Sequence, residues 1–328
     1  MDMPAPPPYK SRDFSAFREG SPMIKVFGHK APDTDSTGSP IIWAWYLSEV
    51  RKQPAVAVLQ GEPNTEAAWM LSKWGLEKPQ IIADVAAGEK CVIVDTNNPA
   101  ELPASINEAD VIEIIDHHLL AGGIRTRVPI NVTIRPLACT ATIMHDLIGA
   151  DDLARAPRAV RGAMLTCILS DTLEFRSPTT TAHDRHVAET LARDLDVSIP
   201  AFAAEMFAAK SDVSAFTEEA LLRMDSKEYD LGGRQLRVSV LETTSPQTVL
   251  ARKGALMSAM PRVAAEDGAD EVLLFVVDIL NGEATLLVPN DFVRDVAEKS
   301  FNVRVEGDTV RLPGIMSRKK QIIPALKV

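Results

Sequence analysis

The chain reads as an α/β protein. A doubly wound, mainly parallel sheet is expected in the first two thirds, a smaller α/β domain after it, and a functional site between the two. Three observations predict this. Short Val- and Ile-rich runs alternate with stretches of helical periodicity, the pattern of βαβ units. The runs are nearly continuous in apolar residues, as strands covered on both faces are. Carboxylates and imidazoles gather just past the ends of those runs, where ligands sit in open parallel sheets. At 328 residues, 46% hydrophobic and 24% charged, the chain has the length of two domains and ample material for a core.

The Pro-rich lead-in M-D-M-P-A-P-P-P-Y-K has no apolar stretch of the secretory kind. It predicts a loosely docked extension over 1–22. Residues 24–27 form the first strand, with a helix opening near Asp35 or Ser36. A strand over 55–59 precedes a helix over 67–74, and 91–94 and 111–115 are short buried strands. Helices follow over 141–148, 158–169, 182–194 and 201–210, which closes a first domain at 23–210. The polar stretch 211–217 is the hinge linker, and 218–328 is the second domain. There, strands are expected over 237–241, 272–278 and 284–288, with helices over 247–260 and 291–300.

The formal charge of −10 opposes nucleic acid and anionic membranes as partners, so an anionic substrate must be drawn by a local basic cluster. No run approaches the roughly 18 apolar residues of a membrane span. Cys91, Cys139 and Cys167 are an odd number without zinc-type spacing, which predicts buried, reduced thiols and a cytoplasmic setting.

The sharpest stretch is M-I-K-V-F-G-H-K-A-P-D-T-D-S, a strand running into a turn that carries His29, Asp33 and Asp35. Asp95 follows C-V-I-V, Asp116-His117-His118 follows V-I-E-I-I, and Asp171 closes M-L-T-C-I-L-S. Taken singly, Asp33 and Asp35 read as turn and cap residues, Asp95 as a loop acid and Asp171 as a cap. Jointly they supply two imidazoles and four carboxylates: His29, Asp33, Asp35, Asp95, His117 and Asp171. Phosphoanhydride hydrolysis needs such a set, because two divalent ions acidify water and clamp the oxygens of the displacement. Thiolate-free N/O donors favour Mn²⁺, Co²⁺ or Mg²⁺. His145, His183 and His186 fall in helical stretches and read as structural or surface residues. The run Arg318-Lys319-Lys320 is either a solvated segment or a lid for a phosphorylated ligand.

G-H-K-A-P-D-T-D-S, V-D-T-N, I-D-H-H, C-T-A-T-I, S-D-T-L-E-F-R-S-P-T and S-R-K-K-Q together resemble the DHH phosphoesterases, specifically the family II (manganese-dependent) inorganic pyrophosphatases, with a DHH domain followed by a DHHA2-type domain. The resemblance runs from Ile24 to the end. It implies hydrolysis of pyrophosphate to two orthophosphates by a hydroxide between two Mn²⁺ (or Co²⁺) ions, with further Mg²⁺ arriving with substrate. One ion would be held by His29, Asp33, Asp95 and Asp171, the other by Asp35, Asp95, His117 and Asp171. Of these, Asp35, Asp95 and Asp171 would serve catalysis together with His118. His118, Lys210, Arg318 and Lys319 would bind substrate. A cytoplasmic homodimer through the N-terminal domain is implied, without nucleic acid or membrane. Two positions depart from the pattern. Thr96 stands where many members have histidine, and Lys210 lies two residues beyond the usual lysine position, here Ala208.

Two other readings stay open on the residues alone. A sister DHH phosphohydrolase would act on short polyphosphate or a nucleotide, and a silent phosphate- or metal-binding module would turn over neither.

Overall fold

The structure, a computed structural model, describes residues 23–328, so the Pro-rich lead-in lies outside the described residues. The chain divides after Met206 into two units. The first contains β1 (Ile24–Phe27), α1 (Thr34–Trp45), β2 (Ala55–Leu59), α2 (Thr65–Trp74), β3 (Gln80–Ile81), β4 (Lys90–Val94), β5 (Asp110–Asp116) and β6 (Asn131–Ile134). It continues through α3 (Thr140–Ile148), α4 (Ala150–Leu153), α5 (Arg158–Asp171), α6 (Ala182–Asp194) and the start of α7 (Ile199–Lys210).

The six strands pair in the order β3-β2-β1-β4-β5-β6, and every pair is parallel. The chain steps outward from β1 on one side, then returns to β4 on the other. Strand order therefore reverses between β1 and β4, the place where open parallel sheets form their ligand crevice. Phe27, Cys91, Ile93, Val111 and Ile114 pack with Leu102 and Ile106 in one buried cluster. Because side chains alternate along a strand, Val26 and Val92 face the other way, and both are fully buried.

Every residue of α1 is buried, which is unusual for a helix and follows from its contacts with β1, β2, α3 and α5. Gly38 permits its close approach to α5: a Cβ there would run into the Cys167 sulfur. The same approach brings Asp35, on α1, beside the end of α5 that carries Asp171.

The second unit contains α8 (Glu218–Met224), β7 (Ser226–Leu231), β8 (Arg234–Thr243), α9 (Pro246–Leu250), α10 (Lys253–Glu266), β9 (Glu271–Asp278), β10 (Glu283–Leu287), α11 (Asp291–Phe301), β11 (Thr309–Pro313) and α12 (Ile323–Ala325). Its mixed sheet runs β11-β10-β9-β8-β7. Only β8 and β9 pair in parallel; the other neighbours are antiparallel. Leu236, Val238, Phe275 and Val277 pack with Val293 and Val296 of α11. Leu274 and Val276, on the opposite face of β9, pack with Leu222 of α8 and Met260 of α10.

The predicted helix over 247–260 is two helices, because Arg252 turns away at the break. Its guanidinium donates to the carbonyls of Val213 and Phe216 at 2.7 and 2.8 Å and pairs with Glu218 at 2.7 Å. Strands β7 and β11 lie beyond those the sequence predicts. Both are polar edge strands without an apolar run to mark them. Among the described residues, no helix is long and apolar enough to cross a membrane.

The substitution Gly38→Ala should lower stability by about 1–3 kcal/mol through overpacking, although alanine is the better helix former by about 1 kcal/mol. The midpoint of urea unfolding reads this out, and adding Cys167→Ala, which removes the obstructing sulfur, should recover part of the loss.

Candidate metal centre

The site is built at the carboxyl ends of β1, β4 and β5. β1 runs out through Gly28, where a Cβ would collide with Ser36. The Ser36 hydroxyl accepts from the His29 amide at 2.8 Å, which fixes the turn. Asp33 caps α1, accepting from the Ser36 amide at 2.9 Å. His29 Nε2 lies 3.7 Å from Asp33 Oδ1 and 3.6 Å from Asp95 Oδ2.

Asp95 is 1% exposed and sits in the left-handed region at φ +59°, a conformation that costs a non-glycine residue about 1–3 kcal/mol. Its Oδ1 accepts from Thr140 Oγ1 at 3.1 Å and lies 3.4 Å from His117 Nε2. At the end of β5, Asp116 turns away from the crevice. It accepts from the amide and Nδ1 of His118 at 3.0 and 2.8 Å and from Asn97 at 2.5 Å. Asp35 is held by Ser39 Oγ at 2.6 Å, the Thr140 amide at 2.7 Å and Cys139 Sγ at 3.1 Å.

Three groups of donors result. His29, Asp33 and Asp95 form one; Asp95, His117 and His118 form a second; Asp35, Cys139 and Asp171 form a third. Asp95 belongs to two of them. All six ligands expected from the sequence thus fall within these groups, and Asp171 stands with Asp35 in the third.

The electrostatics follow from crowding acids in a buried place. Burial, and after it the charges of Asp35, Asp33 and Asp116, push the Asp95 carboxyl far above the ordinary aspartate range. Burial and the charges of Asp35, Asp95 and Asp33 do the same to Asp171. Asp116 behaves oppositely: burial raises it, but the hydrogen bonds from His118 and Asn97 outweigh that and hold it low. The Cys139 and Cys167 thiols are driven up by burial and by Asp35 and Asp171, and Cys91 is pushed to about 12. All three are free and buried, so they are neutral.

This arrangement fits cations. The Leu137 carbonyl can only accept, so His117 Nδ1, 3.2 Å away, carries a proton, and in the neutral ring the lone pair is then on Nε2. That lone pair faces a carboxylate oxygen at 3.4 Å, too far for a good hydrogen bond. An ionised Asp95 facing that lone pair leaves room for a positive charge between them, a proton in the stripped protein or a metal ion when one is bound. Asp171 Oδ2 is buried and has no hydrogen-bond partner among the described residues, which is costly for a carboxylate unless a cation meets it. Nitrogen and oxygen donors are what Mn²⁺ or Co²⁺ take.

In the second unit, Arg318 donates to the carbonyl and carboxylate of Asp225, both at 2.7 Å. Arg318, Lys319, Lys227, Tyr229 and Glu242 are among the residues lining an open pocket of about 750 Å³. Lys210 is the last residue of α7. His145 and His183 both meet Asp146, at 3.3 and 2.8 Å, as structural histidines on helix surfaces do. Sequence reasoning missed Cys139 and Thr140 as supports of Asp35 and Asn97 as the clamp on Asp116, although C-T-A-T-I and V-D-T-N both carry them.

Residues 23–170 match the model of the DHH family, N-terminal domain, and residues 204–328 match the DHHA2 domain. A probable manganese-dependent inorganic pyrophosphatase of Deinococcus radiodurans is 40% identical over 310 residues, covering 93% of this chain and 98% of that one. Its counterpart in Lactobacillus acidophilus is 33% identical over 303 residues, covering 92% and 96%. The crystal structure of a putative family II inorganic pyrophosphatase of Methanococcus jannaschii superposes with a TM-score of 0.58 at 32% identity, over 92% of this chain and 98% of that one.

Stripped of metal by chelator, the protein should lose stability as pH rises above the ordinary aspartate value of about 3.9. The folded state then holds protons on Asp95 and Asp171 that the unfolded chain has released. Asp116 contributes with the opposite sign, stabilising above about 3.9 and losing that effect as pH falls through its depressed value. Thermal unfolding between mildly acidic and neutral pH should show the net fall, and added Mn²⁺ should abolish or reverse it. A stripped protein that gains stability toward neutral pH would contradict the reading of Asp95 and Asp171.

Proposed function

The chain belongs to the manganese-dependent inorganic pyrophosphatases of the DHH family, and from that membership we propose that it hydrolyses pyrophosphate by a two-metal mechanism. The observation that carries the reading is Asp95: one carboxylate serves two donor groups at the strand-order reversal, as a bridging ligand between neighbouring ions must.

In this reading His29, Asp33, Asp95 and Asp171 hold one ion, and Asp35, Asp95, His117 and Asp171 hold the other. When bound, the two Mn²⁺ or Co²⁺ ions would acidify a water to a hydroxide nucleophile and offset phosphate charge, with Mg²⁺ entering on the substrate. The water oxygen bonds to one phosphorus as the bridging P–O bond breaks, and the two protons of water finish on the two orthophosphates.

The chain's own residues do the rest. Asp116 fixes the His118 ring through Nδ1, so His118 contacts substrate in one orientation rather than sampling several. Arg318 offers a planar fork whose remaining N–H groups suit phosphate oxygens, and Lys319 adds a point charge. Lys210 is the further substrate cation. A homodimer through the N-terminal unit and cytoplasmic residence belong to the same proposal.

Chelator-stripped protein should release phosphate from pyrophosphate only after reloading with Mn²⁺ or Co²⁺ in the presence of Mg²⁺. Turnover of tripolyphosphate or dinucleotides, with pyrophosphate untouched, would make it a sister phosphohydrolase. Asp95→Ala and Asp171→Ala should each lower kcat by on the order of 10³-fold or more while leaving the circular dichroism spectrum unchanged. Lys319→Ala should raise KM by about tenfold, the worth of one charged hydrogen bond, with kcat little altered. An unchanged KM would return Lys319 to the solvated surface.

A further inference from the structure

Glu66, the second residue of α2, is a fully buried carboxylate that lies outside all three donor groups. A single oxygen of it, Oε2, accepts two hydroxyl hydrogen bonds, from Thr34 Oγ1 at 2.9 Å and from Ser170 Oγ at 2.8 Å. Thr34 stands between Asp33 and Asp35 at the start of α1, and Ser170 immediately precedes Asp171 at the end of α5. One atom from a third helix therefore ties together the two segments that carry Asp33, Asp35 and Asp171. The Thr34 hydroxyl of D-T-D-S and the Ser170 hydroxyl of S-D-T, which no ligand assignment uses, both end on it.

Burying one more carboxylate beside a cluster of acids is expensive. An apolar side chain of similar volume would fill the same space more cheaply. What the carboxylate supplies and an apolar group does not is direction, because two donors converging on one oxygen fix the rotamers and spacing of both segments. Ligand orientation through such outer partners is worth about 10- to 100-fold in metal affinity.

We propose that Glu66 is a positioning residue of the metal centre, setting the distance between the Asp33–Asp35 turn and Asp171 through the Thr34 and Ser170 hydroxyls. The inference rests on the two-ion reading above.

Two kinds of variant separate position from charge. Glu66→Gln removes the carboxylate charge. Thr34→Val removes one hydrogen bond with shape and charge kept, and Thr34→Ser restores the hydroxyl. Mn²⁺ affinity is measured by electron paramagnetic resonance titration of the full chain, and thermal unfolding is followed with and without Mn²⁺. Thr34→Val should bind Mn²⁺ about 10-fold or more weakly, Glu66→Gln, whose amide oxygen still accepts from both hydroxyls, should stay within a few-fold of wild type, and Thr34→Ser should bind as wild type. The gain in Tm on adding Mn²⁺ should shrink in Thr34→Val, whereas the stripped Tm of Glu66→Gln should hold or rise as like-charge repulsion is relieved. Wild-type affinity in Thr34→Val, or a stripped Tm that falls in both variants with metal affinity intact, would make Glu66 a structural tie and overturn the inference. Absence of Mn²⁺ binding by the wild type would overturn the two-ion reading as well.

Discussion

Repulsion among crowded aspartates governs this structure. Two unit charges about 4 Å apart interact by about 4 kcal/mol at an effective dielectric of about 20, and the first unit gathers Asp33, Asp35, Asp95, Asp116 and Asp171 at one edge of its sheet. Hydrogen bonds settle part of the problem. Asp116 is satisfied by His118 and Asn97, and Asp35 by Ser39, Thr140 and Cys139. Asp95 and Asp171 are left with raised affinity for protons, which is to say for any positive charge. The fold holds them there regardless, so the surrounding architecture must supply the restraint that their chemistry opposes.

That restraint comes from the topology. β1 and β4 are neighbours in the sheet although β2 and β3 separate them in sequence, so their outgoing loops diverge and leave a crevice into which His29 and Asp95 are both directed. The wholly buried α1 carries Asp35 into the same region, and Gly38 lets α5 approach closely enough to bring Asp171. Each of these candidate donors thus sits at the end of an element whose body is locked in the core. The flexible part of each segment is only a residue or two long, which keeps the donors from moving apart to relieve their repulsion.

How much of this the sequence disclosed depends on what each residue needed from its neighbours. His29, Asp95 and His117 follow continuous Val/Ile runs, and a buried parallel strand ending in a polar residue leaves little choice about where that residue lies. The strand run of β9 is legible for the same reason, being buried from Val272 onward. Glu66 was not legible, because E-A-A-W-M-L reads as an ordinary amphipathic helix and nothing local says that its acid points inward. Asp116 was partly legible: its place in D-H-H marks chemistry, but only the fold shows that it faces His118 and Asn97. Cys139 reads as a core thiol, and its contact with Asp35 spans 104 positions. The edge strands β7 and β11 escaped for a different reason: at a solvated edge, polar residues carry no period to detect.

Thr96 illustrates how a departure from the family pattern can be absorbed. Its side chain is buried, with the residue 1% exposed, and its hydroxyl donates to Glu101 Oε2 at 2.7 Å while accepting from the Asn98 amide at 3.2 Å. The carbonyl of Glu101 in turn accepts from the Lys30 amide at 2.9 Å, next to His29. Asn97, between them, donates to Asp116 and accepts from the Ala121 amide at 2.6 Å. The loop after β4 is therefore pinned to the loops after β1 and β5 by consecutive side chains. This is what allows Asp95 to stay at a left-handed φ that it would otherwise leave. A hydroxyl serves that purpose because it gives and takes hydrogen bonds from a single small atom. An imidazole divides those roles between two ring nitrogens and needs more room. In this chain the Thr96 hydroxyl ties the loop after β4 together directly behind Asp95.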